Sequence, residues 1–235
     1  MREKTPGQRV QWSKQQALRG NMHNKKFCFD DEAVIYANCL SDLSKRLIRK
    51  NVSNSCTKAK IQIVKVNVFG SIGFLLKPRI EMIPSIVNGE VQQGLLQRNF
   101  VSELSAKGDK KHEFVSDDAP WHRANSISQW FAKSKVSWIS LTPYSPDLNP
   151  MENFWGAVSQ KVYKGVRNFD TETQFGEVIK KAVESLVQSY INRICESIAD
   201  RIFKVIESRG VTLNYCPMAI QQSADVIENE NESNE

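Results

Sequence analysis

Long apolar runs are missing from this sequence. The longest, Val68 to Leu76, is interrupted by Gly70, Ser71 and Gly73, and falls well short of the ~20 apolar residues needed to cross a bilayer. A membrane-spanning helix is therefore excluded. The first residues, Met1-Arg2-Glu3-Lys4, lead into no apolar core, so a secretory signal is not expected. Cysteine and histidine are sparse. The five cysteines (Cys28, Cys39, Cys56, Cys195, Cys216) are odd in number and widely spaced, and there are three histidines. No Cys-x-x-Cys pair or Cys/His quartet occurs, which argues against a zinc site and for reduced thiols in an intracellular protein. Lysine and arginine vanish from Pro217 onward, where five acids remain. Residues 216–235 read as an acidic, disordered tail.

The rest has an ordinary globular composition, with 40% apolar and 25% charged residues over a chain of 235. A chain of that size buries roughly 70% of its unfolded surface or more, so its core needs neither disulfides nor a structural metal. The 32 basic and 26 acidic residues give +6; leaving out the five tail acids raises residues 1–216 to +11. Lys45, Arg46, Arg49, Lys50, Lys58 and Lys60 form a stretch without an acid. A basic body suits a polyanionic partner, because neutralised phosphates release counterions. A solvated face is the commoner meaning of such a cluster, and charge alone favours it.

Periodicity supplies the elements. A polar, basic lead-in (1–24) is helix-capable near Arg9–Leu18. Lys25–Tyr36 reads as strand, turn and strand, with Phe27, Phe29 and Asp31 alternating onto one face. Ile61–Phe69 is rich in β-branched residues and ends at Gly70, a central strand. A turn at Asn88-Gly89 and helical spacing over Val91–Leu104 follow. Then come a short strand (Glu113–Asp117), a helix (Ala124–Lys133), a strand (Val136–Leu141) and a proline-rich turn. Helices fill the chain from Pro150 to Gly210, including Thr173–Val187. The last carries Ile198, Ile202, Val205 and Ile206 on one stripe and stops at Arg209-Gly210. The order predicts an α/β fold, a mixed sheet flanked by helices with a helical C-terminal portion.

Three acids fall where such folds collect ligands, at strand ends and helix starts: Asp31, Asp117 and Glu152. Hard divalent cations take carboxylate oxygens. Three carboxylates can hold two Mg²⁺ ions about 3.5–4 Å apart, an arrangement suited to phosphodiester cleavage. Plainer readings stand beside this one. Asp31 sits in the solvated-looking cluster Asp30-Asp31-Glu32. Asp117-Asp118-Ala119-Pro120 reads as an ordinary turn. Asn149-Pro150-Met151-Glu152 reads as a capping box, in which Glu152 would serve only the helix start.

Two segments resemble the Tc/mariner superfamily of DNA transposases. Ser116-Asp117-Asp118-Ala119-Pro120-Trp121-His122 is similar to its Q-D-N-A-P-x-H stretch. Ser145-Pro146-Asp147-Leu148-Asn149-Pro150-Met151-Glu152-Asn153-Phe154-Trp155-Gly156 is similar to its S-P-D-L-N-P-[IL]-E-N-x-W-G. Thirty-four residues separate Asp117 from Glu152, the spacing and final Glu of the nematode-type Tc branch. Phe29-Asp30-Asp31-Glu32 resembles the family's F-[ST]-D-E, and Val66–Gly70 its V-M-V-W-G strand. The likeness covers residues 8–215. It implies an RNase H-like catalytic domain over 25–215, with Asp31, Asp117 and Glu152 as catalytic metal ligands for two Mg²⁺ or Mn²⁺ ions. It implies hydrolysis at transposon ends, followed by attack of a 3′ hydroxyl on target DNA. His122 and Asp118 would lie beside the ligands or face the DNA, with a purely structural histidine as the alternative. Lys45, Arg46, Arg49, Lys50, Lys58 and Lys60 would grip the DNA backbone. DNA is the implied partner, with homodimer formation and nuclear location on the same footing. Neither a small-molecule substrate nor a membrane partner is implied.

Departures qualify the resemblance. Ser116 replaces the family's Gln, Asp118 its Asn, and Phe69 its Trp. Ser55-Cys56-Thr57-Lys58 stands where a Gly-rich stretch is usual, and the Gly-Pro-Asp-Gly turn is not kept. Thirty residues precede Asp31, too few for the family's helix-turn-helix half, so sequence-specific end recognition is not expected of this chain. The expectation is metal-dependent DNA cleavage and strand transfer by a non-autonomous catalytic domain. The alternative is a repurposed DNA-binding protein without catalysis.

Overall fold

The fold is that of a computed structural model, which describes residues 4–20, 26–38, 63–84, 89–101, 112–117, 125–134, 137–164 and 168–213. Its centre is a five-stranded sheet of β1 (Phe27–Ala37), β2 (Val64–Gly73), β3 (Leu76–Ile83), β4 (Glu113–Ser116) and β5 (Ser137–Ser140), in the order β3-β2-β1-β4-β5. β1 pairs antiparallel with β2 and parallel with β4, and β4 pairs parallel with β5. Antiparallel hairpins need only short turns, whereas parallel neighbours need crossovers. The chain accordingly makes β2 and β3 with the two-residue tip Phe74-Leu75, and reaches β5 from β4 through a helix.

Helices cover both faces. On one face lie α4 (Met151–Val162), α5 (Glu172–Glu184), α6 (Gln188–Glu196) and α7 (Ile198–Glu207). They bury Phe27, Phe29, Ile35, Val66, Val68 and Val115 of the sheet beneath Phe154, Phe175, Ile191 and Ile202. On the other face lie α2 (Gly89–Leu96), continued by a π turn at Gln97–Val101, and α3 (Asn125–Ser134). Leu95, Leu96, Trp130 and Phe131 there cover Cys28, Phe69 and Phe114. Period-two alternation sends Phe27 and Phe29 to the first core and Cys28 to the second, as expected of a strand buried on both faces. α1 (Lys4–Arg19) packs against α7, burying Arg9 and Trp12; the Trp12 indole donates to the β5 carbonyl of Ser140 at 2.9 Å. Gly210, with φ +88°, ends the helical run by donating to Val205 O, as its position after Arg209 predicts.

Two sequence expectations need correcting. Lys25–Tyr36 is not strand, turn and strand. β1 runs unbroken from Phe27 to Ala37, because Asp30 and Asp31 stay in register opposite Ser71 and Gly70 of β2. The acidic cluster that looks like a turn is the middle of the central strand. Conversely, the first hairpin is β2 with β3, over Leu76–Ile83, where the sequence pattern predicts no strand. Pro78 interrupts its pattern, and proline is tolerated there because β3 is an edge strand. Among the described residues, no helix is long and apolar enough to cross a membrane. The basic stretch from Lys45 to Lys60 and the tail from 216 lie outside the described residues.

Candidate active site

Strand register brings the first two acids together. Phe29 of β1 and Val115 of β4 are parallel partners, and both face the α4–α7 core. Two residues further along each strand, on that same face, come Asp31 and Asp117. Neighbouring strands lie roughly 4.8 Å apart, so the ladder carries both acids to the same end of the sheet, where the Asp117 charge reaches the Asp31 carboxyl. β4 ends at Ser116, so Asp117 sits just beyond the last paired residue, where the strand opens to solvent.

The third acid arrives on α4. Gly70 lies opposite Asp31 in the β1–β2 ladder. A Cβ on Gly70 would stand 2.6 and 2.7 Å from two ring carbons of Trp155 and 3.1 Å from Met151 Cε. The missing side chain is what lets α4 lie down on β2 beside Asp31. Met151 and Trp155, one helical turn apart, form the contact, and Glu152 turns from it toward the cleft. Trp155 Nε1 is buried without a hydrogen-bond partner among the described residues, so packing alone holds the indole.

Around Glu152 the backbone is tightly fixed. Asn149 Oδ1 accepts from the Met151 N–H at 3.1 Å, a helix cap made by asparagine. The Asn149 N–H donates to Pro146 O at 2.9 Å, not to the Glu152 carboxylate. Glu152 therefore takes no part in a reciprocal capping box, and its carboxylate is free for other work. Asp147, five residues earlier, is fully committed elsewhere. It accepts from Arg9 Nη1 and Nη2 at 2.8 and 2.6 Å and from the Leu213 N–H at 2.7 Å. Arg201 donates to Asp147 O at 3.0 Å and also to Asn153 Oδ1. Two buried arginines thus clamp the chain on either side of Glu152. The motif shows Asp147, but nothing in the sequence pairs it with Arg9 or Arg201.

Asp31, Asp117 and Glu152 line one open cleft of about 560 Å³, whose far wall is the Thr142–Pro146 loop. No lysine, arginine or histidine is among the described residues that line it. Burial, then the nearby charges of Glu152, Glu32 and Asp117, push the Asp31 carboxyl up to about 8, against a smaller opposing effect from the Glu32 N–H. Partial burial also raises Glu152. For Asp31 burial leads and like charges add to it, while for Glu152 burial alone acts. Among the described residues no three acidic, histidine or cysteine side chains close into a ready-made cation cage; the acids line the cleft rather than meeting at a point. The donor set still fits a hard divalent cation, which takes few carboxylates and fills its shell with water and phosphate.

A family model described as "DDE superfamily endonuclease" matches residues 43–176, more than half of the chain. The chain belongs to the DDE superfamily endonuclease family. That match takes in Asp117 and Glu152 but begins after Asp31. Among relatives, the Tc3 transposase of Caenorhabditis elegans is 28% identical over 150 residues, 64% of this chain and 46% of that protein. The Tcb1 transposase of Caenorhabditis briggsae is 23% identical over 213 residues, 88% of this chain and 77% of that protein. The chain thus spans less than half of the Tc3 transposase and about three quarters of the Tcb1 transposase. The Mos1 transposase catalytic domain, solved with Mn and with Raltegravir, has the same fold, with a TM-score of 0.70 at 15% identity over 91% of this chain and 98% of that one. A Mos1 paired-end complex with a left transposon end gives 0.71 at 14% identity over 90% of this chain and 64% of that one. This DDE-family chain therefore carries the RNase H-like fold of a Tc/mariner transposase catalytic domain.

Of the other expected site residues, Asp118, His122, Lys45, Arg46, Arg49, Lys50, Lys58 and Lys60 lie outside the described residues. Gly70, Arg9, Arg201 and the Thr142–Ser145 loop are not among the expected site residues. The sequence marks Gly70 only as the end of a β-branched strand and Thr142–Ser145 only as part of a proline-rich turn.

Proposed function

We propose that this chain is the catalytic domain of a Tc-type transposase, cutting DNA phosphodiester bonds with bound Mg²⁺ or Mn²⁺ and joining the freed end to a target. The observation that carries the reading is that Asp31, Asp117 and Glu152 line one cleft with no basic side chain among the described residues of its wall. On this reading the three carboxylates hold the ions. Bound divalent ions would supply charge neutralisation at the scissile phosphate and a more acidic water. Asp31, on the rigid central strand, and Asp117, at the end of β4, fix one side of the cleft. Glu152, held by its clamped helix start, fixes the other. In the first step a water oxygen bonds to phosphorus and the P–O3′ bond breaks, leaving a 3′ hydroxyl and a 5′ phosphate. In the second, that hydroxyl oxygen attacks a phosphorus of the target strand and displaces its 3′ oxygen. The DNA supplies this second nucleophile, so the protein needs no nucleophilic side chain. The basic residues from Lys45 to Lys60 would hold the backbone, and the protein would act in the nucleus as a dimer.

The test is nicking of a DNA duplex in Mn²⁺ by the parent, Asp31→Asn and Glu152→Gln. The reading expects nicking by the parent alone. Salt-sensitive DNA binding with no nicking in the parent would favour a DNA-binding protein that has lost catalysis.

A further inference from the structure

Tyr144 stands apart from the other residues of the cleft. Its backbone is left-handed, φ +55°, a region that residues other than glycine seldom occupy. Its side chain is 86% exposed, yet it lines the same cleft as the three carboxylates. The loop that presents it is tied down at both ends. Leu141 N–H donates to Ser116 O at 2.8 Å, and Leu148 N–H to Ser145 O at 3.0 Å. The Thr142 and Ser145 hydroxyls hydrogen-bond at 2.7 Å, and the Ser145 hydroxyl also reaches Pro143 O at 3.2 Å. A large ring is thus held out into solvent on a disfavoured backbone, with no core packing in return. Strain kept in place by surrounding bonds clusters where a ligand is met.

We propose that Tyr144 is a stacking platform for a nucleobase left unpaired beside the bond being cut. The inference rests on the DNA reading of the cleft and deepens it. The carboxylates act on a backbone phosphate, so the nucleotides flanking that phosphate pass the rim where Tyr144 stands. Inside an intact duplex both faces of each base are covered by its neighbours. Only an end, melted or flipped base offers a free face to a ring. Such stacking tolerates any base, because every base has a π face.

Two variants separate the ring from the backbone. Tyr144→Phe keeps the ring. Tyr144→Asn removes it while keeping a residue that accepts left-handed backbone. Neither disturbs the core, because the side chain is exposed. Binding is measured without divalent metal to a covalently closed, fully paired duplex circle, which has no end base, and to a linear duplex of the same sequence bearing a short single-stranded overhang with 2-aminopurine next to the junction. The parent and Tyr144→Phe should bind the overhang about tenfold more tightly than Tyr144→Asn and quench its fluorescence, while all three bind the paired duplex alike. Equal overhang affinity and equal quenching with Tyr144→Asn would overturn the stacking role and leave the DNA reading intact. Failure of the parent to bind either DNA would overturn both.

Discussion

Gly70 and Trp155 touch where the sheet meets the helix that carries Glu152: a Cβ on Gly70 would come within 2.6 Å of the Trp155 ring. Gly70 is also the ladder partner of Asp31. One small residue therefore sets the distance between the acid on β1 and the acid on α4. Gly70→Ala should push α4 outward. Overpacking of this kind costs about 1–3 kcal/mol, readable as a lowered urea midpoint, and nicking should fall with it. Adding Trp155→Phe, which removes the ring carbons that clash, should restore part of both. Independent, additive losses in the double variant would sever the link between this contact and the cleft.

Glu152 offers a cleaner separation of stability from chemistry. Because the Asn149 N–H is satisfied by Pro146 O and Asn149 itself caps Met151, Glu152→Gln should unfold within about 0.5 kcal/mol of the parent, the usual range for a substitution away from structural features. Nicking should be lost all the same. A large fall in stability would restore a structural role for Glu152.

The Arg9–Asp147 pair behaves in the opposite way. Both side chains are buried and joined by two hydrogen bonds of 2.8 and 2.6 Å. Removing one partner strands the other charge, so Asp147→Asn should cost about 3–5 kcal/mol in urea unfolding. Arg9→Met with Asp147→Leu should cost less than either single change. Asp147 is acidic and lies in the motif, but its charge is already matched; a variant that lost activity while keeping full stability would contradict that assignment.

Crowded carboxylates should respond to cations. The Asp31 carboxyl is buried beside Glu152, Glu32 and Asp117, which opposes folding and which a cation bound in the cleft would offset. Mn²⁺ should raise Tm through binding to the folded state alone. In EDTA, Asp31→Asn should melt above the parent, and adding Mn²⁺ should shift it far less. A parent whose Tm ignores both EDTA and Mn²⁺ would speak against ion binding here.

Much of the cleft's acidic lining could be read from the sequence, for identifiable reasons. Period-two alternation after Phe27 and Phe29 puts Asp31 on a known face, and a short strand ending at Asp117 needs no distant information. The motif around Glu152 announces a helix start. What could not be read depends on tertiary placement. Asp30-Asp31-Glu32 looks like a turn until β2 pairs with it, and a strand containing Pro78 is acceptable only at a sheet edge. The capping-box reading of Glu152 fails through one backbone bond, Asn149 to Pro146, which no local pattern reveals. Arg9 finds Asp147 across 138 positions, because α1 packs beside α7. Tyr144 becomes notable only once its exposure and its left-handed backbone are seen together.

The most direct test of the central claim is the conversion of supercoiled plasmid to relaxed circles in Mn²⁺, by the parent and by Asp117→Asn at equal DNA occupancy. Three carboxylates acting as one ion-binding site predict relaxed circles with the parent, none with the variant, and none for either in EDTA. Equal nicking by both proteins, or nicking that persists in EDTA, would contradict the account.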